Sequence, residues 1–241
     1  MSTKPVNYGL QPARSRPLQI LDPITTAQGA KRLLEYRVSC IDADPRFINY
    51  LVCPEDPYFT DGFKEKGIKF IPFPMQRGLN PLSVIAETCR FLTLLHRIKP
   101  DIVHAHTSKA GAISRIACTL YSIGKKDKPF VCYQVHSFYF NALSGFKRKI
   151  FLGFERFLSR LSDALLFQNE EELEQARANG MGKKAHLVNI GNGIRLDEFG
   201  GKKTVRSLPA WQDKSSLPLS FICVARIEAK KNHRMLLDAA L

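Results

Sequence analysis

The sequence predicts an α/β protein with a doubly wound parallel sheet. Short apolar segments, rich in β-branched and aromatic residues, alternate with longer segments of helical periodicity. Such an alternation is typical of parallel strands joined by crossover helices that cover both faces of the sheet. With 44% hydrophobic and 24% charged residues, the 241-residue chain has the composition of a globular protein.

The predicted elements follow one another from residue 18 to residue 191. Strands are predicted at 18–24, 47–53, 68–73, 101–106, 129–136, 163–168 and 185–191. Helices are predicted within 25–43, from Pro81 to the Lys99-Pro100 stop, at 108–123, at 146–161 and after Asn169. Asn80 before Pro81, and Asn169 before three glutamates, are typical helix starts.

The sequence divides into four parts. Residues 1–17 are polar and proline-punctuated, which predicts a loose tail, and 18–199 form the first domain. Residues 200–217 lack periodicity and resemble a linker. Residues 218–241 begin a new strand and helix, which together cannot cover their own apolar faces. We therefore expect 218–241 to begin a second domain whose remainder lies beyond Leu241.

Several protein classes are excluded by composition. No apolar run approaches the ~20 residues that span a bilayer, and the amino terminus lacks the apolar core of a secretory signal. The six cysteines are scattered, which favours a reducing cytoplasm over a disulfide scaffold or a zinc ribbon. The net charge of +14 predicts an anionic partner, either nucleic acid, acidic lipid or a phosphorylated substrate.

Candidate binding residues follow the strands, at the sheet edge where open parallel sheets bind ligands. Ser108 and Lys109 begin a helix whose N–H groups favour an anion, although an ordinary cap with an exposed lysine explains them equally well. His104 and His106 share one strand face, but no further ligand is evident nearby, so no metal site is predicted. His136 ends a strand beside aromatic residues, either to bind a polar substrate or as a packing residue.

Two further motifs lie towards the carboxyl terminus. Residues 191–194 read Gly-Asn-Gly-Ile after a strand, and the glycines allow a tight turn or a close approach. Arg226 and Lys231 lie between a strand and a helix start, where two cations would suit a diphosphate. A solvated basic turn is the alternative.

Five segments together resemble glycosyltransferase family 4, in the family's order and at its usual separations. They cover most of 18–241 and look closest to the branch that builds bacterial surface polysaccharides on lipid-linked acceptors. The matching segments are 71–83 (IPFPMQRGLNPLS), 99–117 (KPDIVHAHTSKAGAISRIA), 135–140 (VHSFYF), 191–199 (GNGIRLDEF) and 224–240 (VARIEAKKNHRMLLDAA).

The resemblance implies a retaining enzyme of the GT-B fold, with two Rossmann-like domains and the active site between them. The first domain would hold a lipid-linked or polysaccharide acceptor, and the second a nucleotide-sugar donor, expected to be UDP-linked, with no metal or other cofactor. The family's Glu-x7-Glu donor motif is absent from the 241 residues, so the chain alone is expected to be inactive.

The resemblance also assigns residues. It implies a catalytic-site role for His136, which would hydrogen-bond the transferred sugar. It implies donor binding by Arg226, Lys231 and Gly29, and we also expect Asn192 and Gly193 to bind the donor. We expect the acceptor to be bound by Arg77, His106, Ser108 and Lys109.

The predicted helix at 146–161 is amphipathic, with Ile150, Phe154, Phe157, Leu158 and Leu161 on one face and five cations elsewhere. This pattern fits peripheral attachment to the acidic inner face of the cell membrane, and a crossover helix with a solvated basic face is the alternative. Two other functions stay open: a sugar-nucleotide epimerase of the same fold, and a basic nucleic-acid-binding module. The second has no recognisable reader motif, so no nucleic acid is predicted as a partner.

Overall fold

The computed structural model describes residues 16–25, 44–64, 68–75, 80–193 and 232–240, together with single positions at 34, 35, 37, 38, 41, 78 and 223. These belong to two compact units, Met1–Arg195 and Leu196–Leu241. The predicted site residues Gly29, Arg77, Arg226 and Lys231 lie outside the described residues. Most of the predicted tail and the whole linker also lie outside them, so the predicted boundaries at 199 and 217 stay predictions.

The first unit contains a sheet of seven parallel strands in the order β3-β2-β1-β4-β5-β6-β7. The strands are β1 Leu18–Pro23, β2 Phe47–Cys53, β3 Lys69–Pro72, β4 Ile102–His106, β5 Phe130–Gln134, β6 Ala164–Phe167 and β7 His186–Asn189. The sequence order reverses between β1 and β4, which is where doubly wound sheets open a crevice at their carboxyl edge. The predicted fold class is confirmed.

Helices connect these strands. They are α1 Pro57–Lys64, α2 Pro81–Ile98, α3 Ser108–Tyr121, α4 Gly145–Ser159 and α5 Glu170–Ala178, with a 3₁₀ turn at Tyr139–Ala142. The second unit contains α6 His233–Ala240. The described residues between 34 and 41, which follow β1, are also helical. Helix α1 was not predicted, because its two turns carry too few apolar positions to display a helical period.

Both predicted caps are present. The side-chain oxygen of Asn80 accepts a hydrogen bond from the Leu82 N–H at 3.0 Å, and that of Asn169 accepts one from the Glu172 N–H at 2.8 Å. Each cap satisfies an N–H group that the first turn of a helix leaves without a partner. Helix α2 ends at Ile98, and its C-cap, Lys99, adopts the left-handed conformation with φ 53° before Pro100.

Apolar layers cover both faces of the sheet. On one face, Leu21, Val103 and Val131 pack against Phe91 of α2 and Ile113 of α3. The opposite face carries a separate cluster formed by β2, α1 and the helical residues after β1; its members are Ile24, Leu34, Val38, Leu51, Cys53, Phe63 and Ile68. Among the described residues, no helix combines the length and the apolarity that crossing a bilayer requires.

A buried arginine joins α3, α4 and the sheet. Arg115 is fully buried, and its guanidinium lies 4.2 Å from the ring centroid of Tyr133 on β5. Its Nη1 donates to Glu155 Oε1 of α4 at 2.8 Å, and its Nε donates to the Gly111 carbonyl at 2.9 Å. The planar guanidinium thus combines a buried ion pair with stacking, a combination that lysine does not reproduce.

The glycine at 111 is required by the Tyr133 ring, which allows a matched stability test. A Cβ at Gly111 would lie 2.6 Å from Tyr133 Cε2, whereas a Cβ at Gly153 of α4 meets nothing within 4 Å. We expect Gly111→Ala to lower the free energy of unfolding by about 1–3 kcal/mol through overpacking. Gly153→Ala should raise it by about 0.5–1 kcal/mol, because alanine is the better helix former. Urea unfolding of both variants measures this, and equal effects would contradict the described contact.

Candidate functional site

Polar side chains follow one another across the carboxyl edge of the sheet, all on the same face. Register pairs His104 with Cys132 and His106 with Gln134, and Gln134 with Leu166. Because alternate residues of a strand point to one face, His136 and Gln168 continue the face of His106. Asp22 reaches the same position from β1, one residue after Leu21, which pairs with Val103.

Asp22 lies at the buried end of this row. Its carboxylate is fully buried and forms an ion pair through Oδ2 with Arg37, from the helical segment after β1. Its other oxygen, Oδ1, lies 3.5 Å from His104 Nδ1 and 3.4 Å from His106 Nε2. One carboxylate therefore organises three side chains from two separate parts of the chain.

The row continues through His136 to β7. His106 Nδ1 lies 3.4 Å from His136 Nε2, and His136 Nδ1 lies 2.6 Å from Gln168 Nε2. Gln168 Oε1 accepts a hydrogen bond from Asn192 Nδ2 at 3.4 Å. A single chain of side-chain contacts, from Asp22 through His106, His136 and Gln168 to Asn192, thus crosses from β1 to the segment after β7. We call it the histidine row.

The electrostatics of the row keep His106, His136 and the neighbouring His104 neutral at pH 7. Burial lowers the pKa of His104 well below its ordinary value, aided by His106 and Arg37. Burial also lowers the pKa of His106, although Asp22 opposes this. Burial and the neighbouring His106 lower the pKa of His136 to about 4. Burial alone would raise the pKa of Asp22, but Arg37 and the His106 hydrogen bond bring it below its ordinary value.

Asp22, His104 and His106 come close enough to raise the question of a metal ion. One ligand atom from each lies within 4.8 Å of the others. However, the Arg37 guanidinium occupies the second oxygen of Asp22, and a cation beside it would face a fixed positive charge. These residues therefore fit a hydrogen-bonded cluster better than a metal site, and the absence of a metal cofactor stays a prediction.

Thr107 marks the reversal point of the sheet with a strained backbone. It lies between β4 and α3 with φ 64° and ψ 150°, a conformation that costs a non-glycine residue about 1–3 kcal/mol. Its hydroxyl contacts the Thr25 hydroxyl at 2.9 Å, which joins the chain after β4 to the chain after β1. Such strain is concentrated at functional sites, and this position adjoins the histidine row.

The residues that the sequence assigned to the acceptor fall in different environments. His106 is buried within the row, and Ser108 is half-buried at the start of α3. Lys109 is 7% exposed, and its Nζ lies 2.8 Å from Glu87 Oε2 of α2, so it bridges two helices. Their roles in acceptor binding, and that of Arg77, stay predictions.

Only some of the residues predicted to bind the donor lie near one another among the described residues. His136 is half-buried and lies in the row, whereas Asn192 and Gly193 are exposed after β7. Asn192 reaches His136 through Gln168. The donor-binding roles of Arg226, Lys231 and Gly29 stay predictions.

Sequence reasoning missed four residues of this edge: Asp22, Arg37, Gln168 and Thr107. Asp22 and Gln168 could have been found, because each is a polar residue at the carboxyl end of an apolar strand. Arg37 is one basic residue within a predicted helix, and nothing in the sequence shows that it faces Asp22. The strain at Thr107 is visible only in the backbone angles.

A family profile described as "Glycosyl transferase 4-like domain" matches residues 49–193, which is more than half of the chain. The chain belongs to this family. A similar curated protein is the UDP-Gal:alpha-D-GlcNAc-diphosphoundecaprenol alpha-1,3-galactosyltransferase of Escherichia coli, which is 27% identical over 153 residues. The alignment covers 62% of this chain and 38% of that enzyme, so the glycosyl transferase 4-like chain spans well under half of its relative.

Solved structures share the fold of this glycosyl transferase 4-like chain. Anabaena Alr3699/HepE, in complex with UDP and glucose, superposes with a TM-score of 0.57 at 16% identity, over 75% of this chain and 46% of that one. The UDP-GlcNAc 2-epimerase of Neisseria meningitidis, bound to UDP-GlcNAc, gives 0.54 at 14% identity, over 73% and 47%. At these identities the similarity establishes the fold, which transferases and epimerases share.

The buried histidines predict an acid-sensitive fold. Because the pKa of His136 is lowered from 6.5 to about 4, the unfolded chain binds a proton between these pH values that the folded chain does not. The free energy of unfolding should therefore fall as pH drops from 6.5 to 4, by up to about 3 kcal/mol from this residue. Urea unfolding at pH 7, 5.5 and 4 measures the effect. His136→Gln should weaken the pH dependence by that amount, and an unchanged dependence would contradict the assignment.

Proposed function

We propose that this chain is the acceptor-side domain, with the beginning of the donor-side domain, of a retaining glycosyltransferase. The proposed donor is a UDP-sugar, and the proposed acceptor is lipid-linked or a polysaccharide. The observation that supports this most is the combination of the family match over 49–193 with a neutral histidine, His136, at the carboxyl edge of the sheet. That edge is where open α/β sheets bind ligands.

The Escherichia coli relative supports the substrate classes, because its name specifies UDP-Gal and a diphosphoundecaprenol acceptor. Both substrates carry a diphosphate, which agrees with the net charge of +14 on the present chain. The particular sugar is a property of each enzyme, so we extend only the classes: a nucleotide sugar and a lipid-linked saccharide.

In the proposed reaction, the chain's own residues bind and orient. His136, neutral at pH 7, would hydrogen-bond a hydroxyl of the transferred sugar. Arg226 and Lys231 would neutralise the charge that develops on the departing diphosphate, which removes the need for a bound metal. Asn192 and Gly193 would approach the donor from the segment after β7, while Arg77 and Ser108 would contact the acceptor.

Epimerisation of a sugar nucleotide is the alternative that the same fold allows, and the Neisseria meningitidis epimerase shares it. The family match favours the transferase, because its profile is that of a glycosyl transferase. Product analysis separates them. A transferase releases UDP and forms a new glycosidic bond only when an acceptor is present, whereas an epimerase converts the sugar nucleotide without one.

We also propose that α4 attaches the protein to an acidic membrane, at its cytoplasmic face. Leu158, which was predicted to share the apolar face of this helix, is instead fully buried. The exposed apolar residues form an outward stripe, which we call the α4 stripe: Phe146 (77% exposed), Ile150, Phe154 and Phe157. Leu82 and Ile85 of α2 are exposed as well.

Charge accompanies this apolar surface. Lys147, Arg148, Lys149 and Arg156 are exposed on α4. Exposed apolar residues with cations at their flanks are the pattern of an interfacial helix, since the apolar groups enter the headgroup boundary and the cations meet anionic lipid. A helix that merely crosses over the sheet would need a polar outer face, and the α4 stripe is not polar.

Arg226 and Lys231 provide the test of the transferase. Because the diphosphate gains negative charge as the sugar–oxygen bond breaks, fixed cations should contribute more in the transition state than in the ground state. In the intact enzyme that contains this chain, Arg226→Ala or Lys231→Ala should lower kcat by roughly 10²–10³ and change the donor KM less. Lys231→Arg should restore little activity. Near-normal turnover of both alanine variants would refute the diphosphate assignment.

Vesicle co-sedimentation tests the membrane proposal. Each cation at an acidic bilayer contributes about 1 kcal/mol, so Lys147→Gln, Lys149→Gln and Arg156→Gln together should weaken binding to phosphatidylserine vesicles roughly 100-fold at low salt. The matched control removes three charges elsewhere, through Lys125→Gln, Lys126→Gln and Lys128→Gln in the loop before β5, and should have a small effect. Equal losses in the two triple variants would mean that net charge alone drives binding.

A further inference from the structure

The hydrogen bonds of the row from Asp22 to Asn192 all run in one direction, each residue donating to the one nearer Asp22. The negative charge of Asp22 sets that direction. An ionised carboxylate can only accept hydrogen bonds, so the His106 nitrogen that faces Asp22, Nε2, must carry the proton. Since His106 is neutral, its Nδ1 is then bare and can only accept. Every contact beyond His106 follows from this first one.

The contact with His106 determines which ring nitrogen of His136 carries the proton. The bare Nδ1 of His106 lies 3.4 Å from His136 Nε2, so Nε2 of His136 must carry the proton for the contact to be attractive. Nδ1 of His136 is consequently bare, and it accepts the Gln168 side-chain N–H at 2.6 Å. The contact at 3.4 Å between Asn192 Nδ2 and Gln168 Oε1 agrees with this orientation of the Gln168 amide.

We infer that Asp22, held by Arg37, is a positioning residue that keeps Nδ1 of His136 as a hydrogen-bond acceptor towards a sugar hydroxyl, and that Gln168 occupies that nitrogen until the sugar replaces it. This inference rests on the proposed function for the identity of the ligand. The tautomer of His136, however, is a property of the ligand-free chain. The inner nitrogen of His136 is held by buried groups, whereas the outer one meets a half-buried amide, so the outer contact is the one that a ligand can displace.

Replacing the Asp22 carboxylate with an amide should reverse the donor-to-acceptor direction of the hydrogen bonds along the row. In Asp22→Asn the Arg37 cation attracts the amide oxygen, which turns the NH₂ group towards the histidines. His106 Nε2 must then accept, its Nδ1 must donate, and His136 must carry its proton on Nδ1 instead of Nε2. In a serine protease, the same exchange beside a histidine imposes the wrong tautomer.

The experiment is imidazole ¹⁵N NMR on the 241-residue chain at pH 7, with His136→Gln used to assign the signals. We expect the wild type to carry the His136 proton on Nε2 and Asp22→Asn to carry it mainly on Nδ1. Asp101→Asn is the matched control, because Asp101 pairs with Arg16 at the amino end of β4, away from the row. It should leave the His136 tautomer unchanged. A folded Asp22→Asn variant with the wild-type tautomer overturns the inference.

A second variant, at Gln168, tests the row from its more exposed end, in case Asp22→Asn does not fold. Gln168→Glu places a carboxyl group opposite His136 Nδ1. His136 should therefore keep its Nε2 proton, with Nδ1 either gaining a second proton or accepting a hydrogen bond from the carboxylic acid, while the His106 tautomer stays unchanged. A neutral His136 that carries its proton on Nδ1 in that variant overturns the inference as well, because the row would then not hold the proton on Nε2. Neither measurement involves turnover, so a failure of the proposed transferase activity would appear in kinetic assays and leave these tautomer results standing.

Discussion

The ion pair between Asp22 and Arg37 is the constraint on which the rest of the site depends. A fully buried carboxylate is costly unless it is paired and hydrogen-bonded, and here Arg37 and two histidines provide both kinds of partner. The pair lies where the strand order reverses, so it joins β1, β4 and the helical segment after β1. Removing Arg37 would leave the buried Asp22 carboxylate without its cation, and removing Asp22 would release the histidines that it orders.

Much of the fold follows from local patterns that the sequence displays directly. The seven predicted strands are present with small shifts at their ends, because buried parallel strands are continuous apolar runs. The Asn80 and Asn169 caps were predictable because their hydrogen bonds span only two or three residues. Helix α1 was missed because two turns give too short a period, and the partial burial of α4 was missed because amphipathicity alone does not show which apolar residues meet the sheet.

The site was predictable to a smaller extent, for a physical reason. His106 and His136 were found because strand ends are where ligands bind, but their partners come from distant parts of the chain. Asp22 and His106 are separated by 84 residues, and a single sequence does not show which strands become neighbours. Lys109 illustrates the same limit. A lysine at a helix start suggests an anion site, yet its partner, Glu87, lies on another helix.

The ion pair between Arg115 and Glu155 has a geometric consequence if α4 attaches the protein to a membrane as proposed. Since Arg115 also stacks on Tyr133, this one side chain couples α4 to β5. Crossover helices run nearly antiparallel to the strands beside them. With α4 lying flat on a bilayer, the strands would run along the bilayer plane and the histidine row would open sideways. In the proposed attachment, the crevice would therefore face along the lipid surface.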